Sequence, residues 1–251
     1  MQHKVLWGLL ILNLLATAAV GAYVYTSQSK PGAASSGDDA IKTWVEANPQ
    51  IIVESVQKHM SGAQAQNDTQ TLEKIKANHD FLYDNKTHPI LGNKDGDVTV
   101  VEFLDYNCGY CKKAYTPLME LVSKDPNVRV VLIEIPILAE SSETAARWAL
   151  AAHDQGGYAA FHKALMENHS PINEETLSEM AKGAGLDVEA VKAKAATSEI
   201  QAAVKQNLEK SQEIGISGTP GFIIGDAIIR GYIEYGAMKE AVDKARADKK
   251  D

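Results

Sequence analysis

Apolar positions along the chain change period several times, and each change marks an element. From Ile41 through Val45, Ile52, Val56 and Met60 they step by three and four, the spacing of one helical face. Asn48–Pro49 interrupts this run and predicts two helices, with Pro49 in the first turn of the second. Residues 62–68 read as a polar joint, after which Leu72, Ile75, His79 and Leu82 form another amphipathic stretch beginning near Asp68 or Thr69. Residues 88–97 are turn-rich. The period then vanishes into the β-branched, apolar run VTVVEFLDY at 98–106, the pattern of a buried strand. VRVVLIEIPI at 128–137 predicts a second such strand. Between them Ala114, Tyr115, Leu118, Leu121 and Val122 share a helical face.

From residue 139 to 214 the pattern is helical throughout, with alanine-rich stretches and expected caps at Ser141, Asn173 and Asp187. His153, His162 and His169 fall in this block and are expected at surface or cap positions. Strand character returns in GFIIGDAIIRG at 221–231, where Gly225–Asp226 suits a tight hairpin turn, and a last helix follows Tyr235. The order strand, helix, strand, helical block, hairpin, helix predicts an α/β fold with a helical insertion at about 139–214. The hairpin makes the sheet mixed.

The N-terminus follows another rule. Lys4 precedes an apolar run over residues 5–24, and a Ser/Gly/Pro-rich stretch follows. As a helix this run reaches about 30 Å, enough to cross a bilayer. Ala16, Thr17 and Ala18, or Val20, Gly21 and Ala22, also resemble signal-cleavage sites. Residues 1–28 are therefore expected to be a signal peptide or membrane anchor, and 29–37 a linker. Both options place the remainder outside the cytoplasm, in the periplasm, either soluble after cleavage or tethered to the inner membrane. Of the 251 residues 45% are hydrophobic and 23% charged, as in soluble globular proteins. A net charge of −8 argues against nucleic acid as partner.

The chain holds two cysteines, Cys108 and Cys111, in NCGYC. An exported protein can pair two thiols as a structural bridge, but a loop this short constrains little of the unfolded chain. A closed zinc site needs four ligands, and neither a second Cys pair nor paired histidines supply them, so no metal is expected. Redox exchange fits better. A strand feeding directly into a helix puts Cys108 at the helix N-terminus, where unpaired N–H groups and the dipole favour a thiolate. Cys111, a turn inside, can attack a mixed disulfide formed at Cys108. Glu102 lies on the strand six positions earlier, where it either points inward to relay the Cys111 proton or sits on the solvent face. Thr219–Pro220 precedes the third strand run, which suggests a turn with a cis bond able to present Thr219's backbone to a visiting peptide.

In this order, Val101-Glu102-Phe103, Cys108-Gly109-Tyr110-Cys111, the helical insertion and Thr219-Pro220 resemble the DsbA family of thioredoxin-fold proteins. The match runs over about 97–251. The preceding helices make the chain similar to ScsC-like members, which carry an N-terminal segment used for oligomerisation. The resemblance implies a thioredoxin fold with an inserted helical domain behind an N-terminal helical arm at 38–86. It further implies Cys108 as nucleophile, Cys111 as resolving thiol, Glu102 as buried acid and Thr219-Pro220 as the substrate-contacting loop, without a cofactor. Gly109-Tyr110 and Thr219 depart from the usual DsbA pattern and resemble a DsbC-type isomerase site. Tyr110 brings no positive charge to Cys108, which points to a weaker oxidant.

The reading favoured by the sequence is an exported oxidoreductase that isomerises or forms disulfides in unfolded or misfolded secreted proteins. It would exchange electrons with a membrane thiol–disulfide partner and form a dimer or trimer through residues 38–86. The alternatives are a monomeric dithiol oxidase and a peptide-binding chaperone module with incidental cysteines.

Overall fold

The computed structural model describes residues 36–249, and these divide after Gln64 into two units. The predicted signal or anchor at 1–28 lies outside the described residues, as does nearly all of the 29–37 linker. Among the described residues no helix is long and apolar enough to cross a membrane.

Two helices begin the described chain, α1 (Ser36–Ala47) and α2 (Pro49–Ala77). Asn48 separates them, its side-chain amide donating to Trp44 O at 2.7 Å. No joint appears at 62–68, because α2 passes straight through it. A lone glycine among Ala and Gln costs a helix only about 1 kcal/mol, and Thr71 reinforces the turn by donating to Asn67 O at 2.8 Å. A π-helical turn at Asp80–Asp84 then brings Phe81 and Leu82 into the core.

In the second unit a five-stranded sheet has the order β1-β3-β2-β4-β5, with β1 (Ile90–Gly92), β2 (Val98–Leu104), β3 (Val128–Glu134), β4 (Gly221–Ile224) and β5 (Ala227–Arg230). β2 and β3 run parallel and the other pairs antiparallel, so the sheet is mixed, as the hairpin predicted. Gly225 makes the β4–β5 turn at φ 57°. β1 arises from the stretch read as turns. It is too short for a periodic signal, and Gly92 closes it at φ 73° where a Cβ would meet Val128 O at 2.6 Å.

Side-chain alternation explains the continuous apolar runs, since β2 and β3 are buried on both faces. Val98, Val100, Leu104, Val128, Val130, Leu132 and Phe222 face one core. That core is completed by α3 (Gly109–Lys124), α9 (Tyr235–Asp248) and the helical block. Val101, Phe103, Val131, Ile133 and Ile223 face the other, which also takes Ile75, Phe81 and Leu82. Residues that the sequence placed at the end of the helical arm thus pack on the sheet.

The insertion holds α4 (Glu140–Asp154), α5 (Tyr158–Glu167), α6 (Glu174–Gly183), α7 (Val188–Ala195) and α8 (Ser198–Ile214). Asn173 caps α6 in a reciprocal capping box and Asp187 caps α7, as expected. Ser141 is no cap: α4 starts after Ala139, and Ser141 lies in its first turn. His162 is fully buried in α5, against the surface position expected of it.

Candidate active site

β2 delivers the chain to α3 in four residues, and Asp105 fixes their path. Its buried carboxylate accepts the backbone N–H of Asn107 at 2.8 Å, of Ile137 at 2.9 Å and of Leu138 at 3.0 Å. The turn before α3 is thereby pinned to the segment that follows β3. Asn107 extends the tie, donating to Ser142 Oγ at 2.8 Å on α4. Sequence reasoning missed both residues. An aspartate two positions before an asparagine at a strand end is an Asx-turn signal, but its second pair of donors lies more than thirty residues away.

Cys108 is the N-cap of α3, in extended conformation, and its sulfur accepts the Cys111 N–H at 3.4 Å. On its other side the thiol lies 3.3 Å from Thr219 O, which accepts its proton. The Thr219–Pro220 bond is cis, and Gly231 N donates to Pro220 O at 2.8 Å, anchoring the loop to the end of β5. The structure therefore gathers Cys108, Cys111, Thr219 and Pro220 from opposite ends of the domain. Gly109 and Tyr110 form the exposed first turn of α3, with Tyr110 65% exposed.

Both thiols are free, and they differ sharply. Cys108 is 7% exposed and Cys111 is wholly buried. The Cys111 thiol, then the Thr219 side chain and the N–H groups of Cys111 and Tyr110, hydrogen-bond the Cys108 sulfur and hold its pKa down at about 5 despite burial. No cation figures among these partners. The Cys111 thiol is pushed far up by its bond to Cys108, by burial and by the nearby Glu102 carboxyl. Glu102 points inward, 1% exposed, with its pKa raised to about 8 by burial, by the Cys108 charge and by Glu134.

A groove lies beside Gly109, with Tyr115, Met119 and Met166 in its lining. Lys112 and Lys113 are not merely a solvated face along it. Lys112 Nζ donates to Asn168 O, and Lys113 Nζ sits 4.0 Å above the Tyr232 ring. Among the described residues the one cluster with metal-ligand chemistry, His79, Asp80 and Asp84, is exposed and includes neither cysteine.

This asymmetry has a direct consequence for thiol labelling. Iodoacetamide is expected to modify Cys108 with a rate that rises through pH 5 and is flat by neutrality, leaving Cys111 untouched in the folded protein. A midpoint near the ordinary thiol value of about 8.5 would show that the hydrogen bonds to the Cys108 sulfur do not stabilise the thiolate.

Fold and site define the class: a thiol–disulfide oxidoreductase on the thioredoxin fold. The family profile described as Thioredoxin matches residues 84–244, and the chain belongs to that family. It is similar to the thioredoxin-like oxidoreductase from Silicibacter pomeroyi DSS-3, with 45% identity and a TM-score of 0.65 over 67% of this chain and 97% of that one. The catalytic domain of Proteus mirabilis ScsC shares 30% identity at a TM-score of 0.64, over 70% of this chain and 98% of that one. Disulfide bond formation protein D of Bacillus subtilis (strain 168) is 26% identical over 174 residues, 63% of this chain and 77% of the relative. The Na(+)/H(+) antiporter NhaA 1 of Salinispora arenicola (strain CNS-205) is 27% identical over 160 residues, and the match spans 24% of the antiporter's length.

Proposed function

We propose that this oxidoreductase is exported to the periplasm and both isomerises and forms disulfide bonds in secreted proteins. One observation carries the reading: a Cys108 sulfur held at the mouth of α3, beside the Thr219 carbonyl, with its partner sulfur one turn deeper and fully buried. The Cys108 thiolate attacks a substrate disulfide, one substrate sulfur leaves as a thiolate, and a mixed disulfide forms. The substrate backbone pairs with Thr219 as a short added strand. Either the freed substrate thiolate attacks another substrate disulfide, and the thiolate this liberates attacks the mixed disulfide to form a new substrate disulfide and release Cys108 as thiolate, which is isomerisation, or Cys111 attacks Cys108. In the second case the Cys111 proton passes to the Glu102 carboxylate, the Cys108–Cys111 bond forms, and the substrate leaves reduced. Run backwards from the Cys108–Cys111 disulfide, the same steps oxidise a substrate dithiol, and a membrane thiol–disulfide partner restores the starting state.

Isomerisation is favoured by the absence of a cation at Cys108, because a thiolate stabilised by neutral hydrogen-bond donors alone gives up less to re-form a disulfide. The first unit supports assembly into a homo-oligomer. On α1 and the start of α2, Ile41, Trp44, Val45, Ile52, Val56 and Met60 are all exposed, an apolar face suited to a second copy of itself. That face lies in the first half of the oligomerising region expected at 38–86. The N-terminal apolar run supports export.

The test pairs two measurements on the chain from residue 36 onward. The reduced protein is expected to rescue a scrambled multi-disulfide substrate and to sediment as more than one chain. Fast oxidation of a dithiol peptide without rescue, by a single-chain particle, would instead establish the monomeric oxidase.

A further inference from the structure

Four polar side chains lie behind the cysteines and take no part in the exchange above. Tyr106 follows β2, Glu134 ends β3, and Tyr158 and His162 lie one turn apart on α5. Tyr158 Oη donates to Glu134 Oε1 at 2.7 Å, and Tyr106 Oη stands 3.3 Å from the same oxygen. The two hydroxyls are 3.1 Å apart, with His162 Nδ1 at 3.0 Å from Tyr106 and 3.2 Å from Tyr158. Glu134 is 1% exposed and His162 wholly buried. Among the described residues Glu134 Oε2, His162 Nε2 and Glu102 Oε1 have no hydrogen-bond partner.

Strand register joins this cluster to the thiol site. β2 and β3 run parallel, with Glu102 opposite Leu132 and Leu104 opposite Glu134. Side chains alternate, so Glu102 and Glu134 face the same core as diagonal neighbours. Two carboxyls in a dry interior resist joint ionisation. Burial lifts Glu134 to about 7 against the pull of the two tyrosines, and its charge helps to lift Glu102. His162 stays neutral, because burial drives its pKa down to about 3. The other titratable groups around the cluster are Cys108, Cys111 and Tyr115 of α3, the last with its ring 5.5 Å from His162, and His153 of α4, its ring 6.1 Å from that of Tyr158. From α8, Asn207 donates to the Glu134 carbonyl at 3.2 Å.

We propose that Glu134 is a positioning residue of the thiol chemistry: held by Tyr158 and Tyr106, its charge governs how readily Glu102 takes the proton of Cys111. The inference rests on Glu102 acting as the proton acceptor. The bonds made and broken are those of the resolving step, in which the Cys108–substrate bond is replaced by Cys108–Cys111. The Cys111 proton rests on Glu102 before reaching the departing substrate thiolate. An ionised Glu134 makes Glu102 a stronger base that is available only at higher pH. A Glu134 serving only to accept from the two tyrosines would have no influence on this step.

Two readouts test it: the pH profile of substrate-thiol release from a mixed disulfide at Cys108, and the carbon-13 NMR titration of the Glu102 carboxyl. Glu134→Gln is expected to move both midpoints to lower pH by about half a unit or more. Glu134→Asp, which keeps the charge, is expected to restore them. Tyr158→Phe removes the 2.7 Å donor, makes Glu134 harder to ionise, and is expected to shift both in the same direction by less. An unmoved Glu102 titration in Glu134→Gln overturns the inference, even where Glu102→Gln alters the release profile. A Glu102→Gln protein with the parent profile overturns the proton-acceptor reading itself, and the two failures are separable because the NMR titration reports the carboxyl pair independently.

Discussion

Cys111→Ser is expected to stop turnover at the mixed disulfide, lowering multiple-turnover reduction of a disulfide substrate by at least about a thousandfold. The first step survives, because the Cys108 thiolate is present at neutral pH and its sulfur is the one that meets solvent. The second step is lost, since the position one turn deeper no longer holds a nucleophile and a serine hydroxyl does not displace a thiolate from sulfur. Intact-mass measurement should find substrate attached through Cys108, released only by an external thiol. Sustained turnover by Cys111→Ser, with no adduct, would mean that Cys111 does not resolve the intermediate. Cys108→Ser supplies the contrast, with no adduct and no turnover.

The second large effect is on stability. In the folded reduced protein Glu102 ionises near pH 8, but in the unfolded chain near its ordinary value of about 4.5. Its raised pKa contributes stability that is intact below pH 4.5 and is lost as pH rises towards 8, because the native state keeps a proton that the unfolded state gives up. The loss is about 1.4 kcal/mol per pH unit, roughly 3 kcal/mol by pH 7. Glu134, lifted to about 7, adds to the loss, and Cys108 works with the opposite sign between pH 5 and the ordinary thiol range, so the parent protein's own pH curve mixes several groups. The difference between Glu102→Gln and parent reports the Glu102 carboxyl together with its coupling to Glu134 and Cys108. Urea unfolding under reducing conditions is expected to give equal stabilities near pH 4 and a Glu102→Gln protein more stable by roughly 2–3 kcal/mol at pH 7. Equal stabilities at both pH values would show that Glu102 is not held protonated. The same variant is expected to resolve mixed disulfides more slowly, which is the usual exchange of stability for activity at a functional group.

The helical block illustrates what local pattern conveys and what it hides. Asn173 and Asp187 are caps because a capping side chain reaches N–H groups only three positions on, a distance the sequence displays directly. His162 belongs to the same block and gave no such signal. Its burial is set by Tyr106 and Tyr158, and one of these is 56 positions away. Likewise β1 exists because β3 offers it an edge, with Leu91 opposite Val130, and three residues carry no period of their own.

By itself the amino-acid order determined the two doubly buried strands, the β4–β5 hairpin and a cysteine at the mouth of a helix with its partner a turn inside. Each depends on spacings of two to four residues, over which backbone geometry is nearly fixed. Tertiary structure alone decided that Asp105 locks that turn to the loop after β3, that Thr219 O meets the Cys108 sulfur, and that Glu102 and Glu134 share one core. Those meetings join residues 30 or more positions apart. They follow from sheet register and from packing on both faces of the sheet, and neither leaves a local trace in the sequence.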